Sequence, residues 1–464
     1  MNGHALSHRE RAVVIGGGIA GLLAARVLSD HFADVTLIER DPVSEHPWPR
    51  KGVPQGNHVH GLLAKGLEIL TRFFPDLESA LIEGGGVSAD MGSDFRWHHF
   101  DTWKVRFDSG IKGMLFTRPF LEAAIAQRVK ALPNVHIISG AVDHLSFDAD
   151  RGRVAGVAVR AAAGPSLVAS DLVIDASGRG SRTPQWLEDN GYVRPAESIV
   201  KVDITYASRL YRLADRHANL KALMVSSRPP RKTMGVLFAV EGNRWLVTLG
   251  GFHGVHAPTD EAGYLAYARD LPVPDIHEAL VDAEPLTPIA THKFPANLRR
   301  HYEQMPSLPE NLLVVGDAMC SFNPIYGQGM TVSALEAIAL ENLLIESHGS
   351  GRSNLSARFQ ERIARIVDVP WQLATGEDFR HVETVGRRPA GAAFLHWYTG
   401  RLHERCGEDA SLALAFYRVM HMLEMPTSLF RPSVAARVIM GRRNITPSQA
   451  WPAVHRGRSE PSAV

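Results

Sequence analysis

The sequence predicts an α/β protein: a Rossmann-like nucleotide-binding domain, a β-sheet domain interleaved into it, and a helical C-terminal region. Three observations predict this. Residues 11 to 41 run strand, glycine turn, helix, strand, acidic residue. Residues 312 to 345 run from a buried strand through a glycine-rich turn into an Ala- and Leu-rich helix. Between them, residues 198 to 294 alternate strand-like runs with turns.

The first segment opens on Ala12-Val13-Val14-Ile15, an apolar run suited to a parallel strand buried on both faces. Gly16-x-Gly18-x-x-Gly21 follows, with Ile19 and Ala20 inside it as cofactor-binding candidates; then Leu22 to Leu28 carries helix-forming Ala and Leu, and Val35 to Ile38 ends in Glu39 and Arg40. Gly16 makes the tight turn, Gly18 admits a pyrophosphate to the backbone, and Gly21 lets helix and strand pack closely. The helix N-terminus offers unpaired N–H groups and a positive dipole end to phosphate. Glu39 is placed to accept both hydroxyls of an adenosine ribose. A glycine triplet alone is weak evidence. The complete order of strand, turn, helix, strand and acid is strong evidence for a dinucleotide site.

The later elements follow by pattern. Residues 42 to 60 form a Pro- and His-rich loop that returns across the ligand site. Gly61 to Phe74 reads as an amphipathic helix, residues 86 to 116 as strands, and Arg118-Pro119 as a helix start with proline in its first turn. Val135 to Ile138 is a strand, with Val142 just beyond it. Strands are expected at 204–211, 233–240, 244–250 and 286–294, and helices at 260–270 and 275–281. From Asn354 the chain reads as helical, with Pro370, Pro389, Pro426 and Pro432 as breaks. The expected division assigns 1–85, 117–197 and 296–350 to nucleotide binding. Residues 86–116 and 198–295 form the sheet domain, and 351–464 the C-terminal helices and a flexible tail.

Composition excludes several classes. The net charge of +1 implies no nucleic-acid partner. Two cysteines, with no CxxC, make a disulfide framework, a thiolate metal cluster or a disulfide reductase an unsuitable reading. His58 and His60 share a side of an extended segment but have no third ligand nearby, so no metal centre is expected. The polar first ten residues lack a signal-peptide core, and no run of about eighteen apolar residues appears, so a cytoplasmic protein is expected.

Leu312 to Val315 leads into Gly316-Asp317-Ala318 and then Asn323-Pro324-x-x-Gly327-Gln328-Gly329-Met330. Here the sequence resembles the group A flavoprotein monooxygenases, of para-hydroxybenzoate hydroxylase fold, whose second FAD motif has this form. The resemblance implies one FAD per chain. It implies that Asp317 binds a ribityl hydroxyl and that Arg50 and Gln55 lie at the flavin ring. It implies that Arg118 reaches the phosphate or ribose and that the Val142 backbone meets the adenine. Pro324, Gly327 and Gly329 position the flavin, while no protein group is expected to act as a catalytic acid or base. Asp175-Ala176-Ser177-Gly178-Arg179-Gly180-Ser181 resembles the middle motif of the same family, which serves both FAD and NAD(P)H. Aligned on Gly178 and Ser181, Ser177 and Pro184 stand where the family has Asp and Arg. Reduction by NAD(P)H is therefore expected to be weak when direct and faster through a separate flavin reductase.

A narrower resemblance runs from Arg11 to about Trp371. Arg50-Lys51-Gly52-Val53-Pro54-Gln55-x-x-His58-x-His60, Gly178-Arg179-Gly180-Ser181 and Phe322-Asn323-Pro324-x-Tyr326-Gly327-x-Gly329-Met330 resemble the polyene epoxidases of polyether antibiotic pathways such as those of lasalocid and monensin, relatives of squalene epoxidase. One GxGxxG unit only, no WxWxIP and no YxWxFP argue against two-Rossmann oxygenases, flavin halogenases and prenyl reductases. The resemblance implies oxygen transfer from a flavin C4a-hydroperoxide to the alkene of a small hydrophobic substrate in secondary metabolism. Such a step needs orientation and a dry pocket rather than a protein nucleophile. Aromatic hydroxylation and a flavin-binding protein without oxygenase activity stay open as alternatives.

Overall fold

The structure, a computed structural model, describes residues 11–41, 50, 52–162, 164–213, 217, 219–350 and 354–441. The polar start, residues 42–49 and Lys51 of the Pro- and His-rich loop, and the tail after Pro452 lie outside the described residues.

The nucleotide-binding sheet has seven strands in the order Gly164–Ala169, Val154–Ala161, Val135–Phe147, Asp34–Glu39, Arg11–Ile15, Leu172–Asp175 and Leu312–Val314. The last five run parallel. Val14 lies between Leu37 and Ile174 in register, and all three are covered on both faces, which is why these strands read as unbroken apolar runs. The 13-residue strand Val135–Phe147 does two things. Its first part extends the parallel sheet, and its second part carries the antiparallel hairpin 154–169. Helices Ile19–Ser29 and Gly329–Ser350 lie against each other in the main core.

The second sheet has eight strands in the order Cys320–Ser321, Ala290–His301, Ala196–Arg212, Arg244–Gly251, Thr233–Val240, Ala222–Val225, Phe95–His99 and Thr102–Trp103. Its period-two pattern sorts the faces. Leu223, Leu237, Val247 and Leu249 pack with Tyr264, Ala268 and Ile276 of the helices Glu261–Arg269 and Asp275–Leu280. Tyr206, Ser208, Thr248, Met234, Val236 and Trp97 occupy the other face by register. Helices Ala392–Arg405, Ala410–Met420 and Pro432–Met440 complete that side.

Four expectations change. The segment from Gly61 begins as the strand His60–Leu62, and its helix starts at Ala64. Of the strands in 86–116, Val87–Asp90 and Lys112–Phe116 join His60–Leu62 in a three-stranded sheet; Phe95–His99 and Thr102–Trp103 join the large sheet. The expected strand 286–294 is Ala290–His301, where cross-strand pairing with 196–208 decides the limits. Pro370 lies inside the helix Leu355–Asp378 instead of ending it. An interior proline costs about 3 kcal/mol, and burial of Phe359, Ile363, Val367 and Ala374 along the same helix offsets that loss. Pro426 and Pro432 each open a short helix at their first turn.

Candidate functional site

The first turn is built as its glycines require. Gly16 sits at φ +102°, and a Cβ there would lie 2.5 Å from the Ala176 carbonyl oxygen. A Cβ on Gly21 would lie 1.8 Å from the Gly16 carbonyl oxygen. Gly18 differs: it is extended, caps the Ile19–Ser29 helix without a side chain, and its Cβ would meet nothing within 4 Å. That open space in front of unpaired helix N–H groups fits a pyrophosphate. Ile19 is buried, and Ala20 is partly buried behind it. Glu39 is held at the strand end: its carboxylate accepts from the Gly17 N–H at 2.6 Å and the Asp41 N–H at 2.9 Å. Arg40 is exposed.

Arg50 lies at this nucleotide end. Its guanidinium is 3.4 Å from Glu39, donates to the Gly17 carbonyl at 3.1 Å, and pairs with Glu122 at 2.7 Å. Arg118 takes the other Glu122 oxygen at 2.7 Å. Burial opposes ionisation of Glu122, but Arg118 and Arg50 outweigh it and hold the carboxyl below its usual range. Glu39 and Glu122 thus draw the Arg50 guanidinium to the end of the second strand. Gln55 sits in the short turn Pro54–Asn57, beside the start of the Arg118–Lys130 helix. Val142 sits in the long strand at a register shift, which marks a bulge.

The second turn meets the first directly. Gly316 is at φ +61°, and a Cβ on it would come within 2.8 Å of the Ala20 Cβ. Its N–H donates to Glu336 at 2.7 Å. Burial pushes the Glu336 carboxyl up to about 8, and its second oxygen has no partner. The Asp317 carboxylate receives no hydrogen bond among the described residues. Burial raises its pKa, while Arg118 and Arg179 nearby oppose the rise. An acceptor without a donor suits a cofactor hydroxyl. Pro324 and Gly329 are exposed, Gly327 is left-handed at φ +66°, and Gly329 opens the Gly329–Ser350 helix. Gln328 and Met330 are buried, the Gln328 side-chain oxygen without a partner. These features fit FAD: a cradle at Gly18, an acid at Glu39, an unpaired acid at Asp317, and a helix end at Gly329.

A carboxylate that sequence reading missed fixes the second turn. Asp378, at the end of the Leu355–Asp378 helix, accepts from Asn323 Nδ2 at 2.7 Å, Tyr326 OH at 2.9 Å and Asn297 Nδ2 at 2.7 Å. Asn297 also accepts from the Asn323 N–H at 2.6 Å. Burial pushes the Asp378 carboxyl up to about 6. In the middle turn, Asp175 is fully buried. It accepts from Ser177 Oγ at 2.5 Å, the Ser177 N–H at 2.9 Å, Ser181 Oγ at 2.5 Å and Thr183 Oγ1 at 2.6 Å. A carboxylate is therefore present in this turn, turned inward. Arg179 lies over the Phe294 ring at 5.1 Å and donates to Ser321 at 3.1 Å.

The face of the large sheet that carries Tyr206 and Ser208 holds His58. Its Nδ1 is 2.7 Å from Ser208 Oγ, which lies 2.6 Å from Thr248 Oγ1. Burial, with His292 nearby, pushes His58 down to about 3. His60 is also pushed down by burial, to about 4. Neither has a metal partner set. One other group among the described residues does: His253, His381 and Glu383, whose ligand atoms lie within 4.8 Å of one another.

Comparison with known proteins agrees with this architecture. The NAD(P)-binding Rossmann-like domain family matches residues 14–44. Flavin-dependent brominase Bmp2 aligns over 93% of this chain and 97% of its own, at 14% identity and TM-score 0.65. Pseudomonas aeruginosa PqsL in complex with 2-aminobenzoylacetate covers 81% and 98%, at 16% identity and TM-score 0.60. Kynurenine 3-monooxygenase of Salinispora tropica is 25% identical over 421 residues, 83% of this chain and 84% of that protein. The fold is that of the FAD-dependent monooxygenases and hydroxylases. Protein Rv3254 of Mycobacterium tuberculosis is 32% identical over 479 residues, 99% of this chain and 98% of that protein, and the chain belongs to its family.

Proposed function

We propose that the protein is an FAD-dependent monooxygenase that epoxidises an alkene of a polyketide or terpenoid intermediate, as its resemblance to polyether-pathway epoxidases implies. When bound, FAD supplies oxygen activation and delivery of one oxygen atom, with electrons from NAD(P)H. The chain's own residues bind and orient. Gly18 and the helix N–H groups take the pyrophosphate, Glu39 the ribose, Asp317 a ribityl hydroxyl, and the Gly329 helix end the pyrimidine edge.

The observation that supports an alkene is the sheet face that carries His58. Met224, Met234 and Val236 make it apolar, and its hydroxyl Ser208 bonds to both Thr248 and His58. Burial keeps His58 neutral. A phenol is helped by a base that ionises it, whereas an alkene needs none. Aromatic hydroxylation is the second reading, favoured by the kynurenine 3-monooxygenase relatives. The test supplies ¹⁸O₂, NADPH and a flavin reductase with a panel of polyenes and phenols. A polyene epoxide carrying one ¹⁸O atom is expected. A labelled phenol with unreacted polyenes makes the protein a hydroxylase. No label in any product, despite flavin reoxidation, removes the oxygenase reading.

A further inference from the structure

We propose that His253, His381 and Glu383 form a binding site for one divalent transition-metal ion of the zinc class, separate from the nucleotide site. Their ligand atoms lie within 4.8 Å of one another. Two imidazoles and a carboxylate are a donor set that zinc and its neighbours in the series accept, with water completing the shell.

His381 points most clearly to an ion. Its side chain is 4% exposed, stacks on Phe252 at a ring distance of 4.6 Å, and makes no hydrogen bond among the described residues. Its imidazole therefore keeps a lone pair that no described protein group uses.

His253 has its tautomer set by its neighbour. Thr384 Oγ1 donates its one hydrogen to the Asp378 carbonyl at 2.7 Å. It therefore accepts at 3.2 Å from His253 Nε2–H, and the lone pair is left on Nδ1. A ligating histidine whose other N–H is tied to an oxygen is the usual supporting arrangement. The backbone at His253 is left-handed, at φ +50°, and its N–H donates to the Asp203 carbonyl at 2.9 Å. Glu383 reaches the cluster from the surface. Lys232 holds its Oε1 at 2.9 Å, which leaves Oε2 for an ion. A tetrahedral zinc with bonds of about 2.0–2.1 Å needs donors roughly 3.4 Å apart, so small side-chain rotations must draw the three donors in from their 4.8 Å limit.

Such an ion would tie the end of the Arg244–Gly251 strand to the segment just after Asp378. The experiment uses tag-free, FAD-loaded protein, stripped with EDTA and dialysed against micromolar ZnCl2, with bound zinc measured by mass spectrometry. One zinc per chain is expected, with a rise in Tm. His253→Ala and Glu383→Gln should each weaken binding by more than about tenfold while keeping the wild-type FAD spectrum. Glu383→Gln alters an exposed side chain and carries the test if His253→Ala fails to fold. Substoichiometric zinc in the wild type, or Glu383→Gln binding as tightly as wild type, overturns the site.

Discussion

A Cβ on Gly21 would collide with the Gly16 carbonyl at 1.8 Å, whereas one on Gly18 meets nothing within 4 Å. Substitution at these two positions should therefore fail for different reasons. Gly18→Val should purify folded, with unchanged circular dichroism, yet colourless, because its side chain fills the pyrophosphate space; a yellow Gly18→Val protein would show the nucleotide lies elsewhere. Asp317→Ala tests the other end. Loss of a hydrogen bond to a charged acceptor costs about 1.5–3 kcal/mol, or roughly a ten- to hundredfold weaker FAD affinity. An unchanged titration would contradict this. Glu336 gives the pH dependence. Its folded carboxyl titrates near 8 against 4.5 ordinarily. Below about 4.5 it is protonated in both states. As pH rises toward 8 the unfolded chain ionises first, so this stability is lost across that window. Glu336→Gln cannot ionise, so its stability relative to wild type should grow between pH 5 and 8 in urea unfolding. A constant difference would show that Glu336 does not titrate there.

At the scale of elements, the turn Asn323–Gly327 shows what sequence makes legible. Its glycines, its proline and the helix after it are local, and strand–turn–helix order can be read along the chain. Its anchor cannot. Asp378 lies 55 residues beyond Asn323 and 81 beyond Asn297, and nothing in the spacing announces that three donors converge on it. Asp175 is similar: aligning Gly178 and Ser181 finds the turn, but only the fold shows the carboxylate turned inward on Ser177, Ser181 and Thr183. Arg50 reads from sequence as a ligand-site cation, but its partner Glu122 lies 72 residues away and no local spacing announces the pair. Asp378→Ala leaves three donors without their acceptor. It should lower stability by about 3 kcal/mol, at about 1 kcal/mol or more per stranded group. It should also release more hydrogen peroxide per NADPH oxidised, since the turn that positions the flavin loses its anchor. Tyr326→Phe, which removes one of the three donors, should show a smaller effect in the same direction. Full coupling in Asp378→Ala would assign the cluster to stability alone.

Across the whole molecule, the question is where electrons enter. The sequence contains one GxGxxG unit after a strand, and its open position at Gly18 fits the FAD pyrophosphate. The middle turn is where a second nucleotide would find charge in the resembled family. Here Ser177 donates to Asp175, Pro184 is buried in the short helix Thr183–Asp189, and a proline offers neither charge nor a backbone donor. Of the two arginines left in the turn, Arg182 is exposed, and Arg179 lies over Phe294, donates to Ser321 and sits close enough to Asp317 to shift its titration. A nicotinamide cofactor carries several negative charges, and without a committed guanidinium they are left unpaired. Direct reduction by NADPH or NADH should therefore be slow and hard to saturate, and an added flavin reductase should raise turnover. Stopped-flow absorbance at the flavin band decides between the two routes. Bleaching by NADPH alone that saturates, at a rate matching turnover, would show that Arg179 or the exposed Arg182 replaces the missing contact, and direct reduction would then be this protein's route.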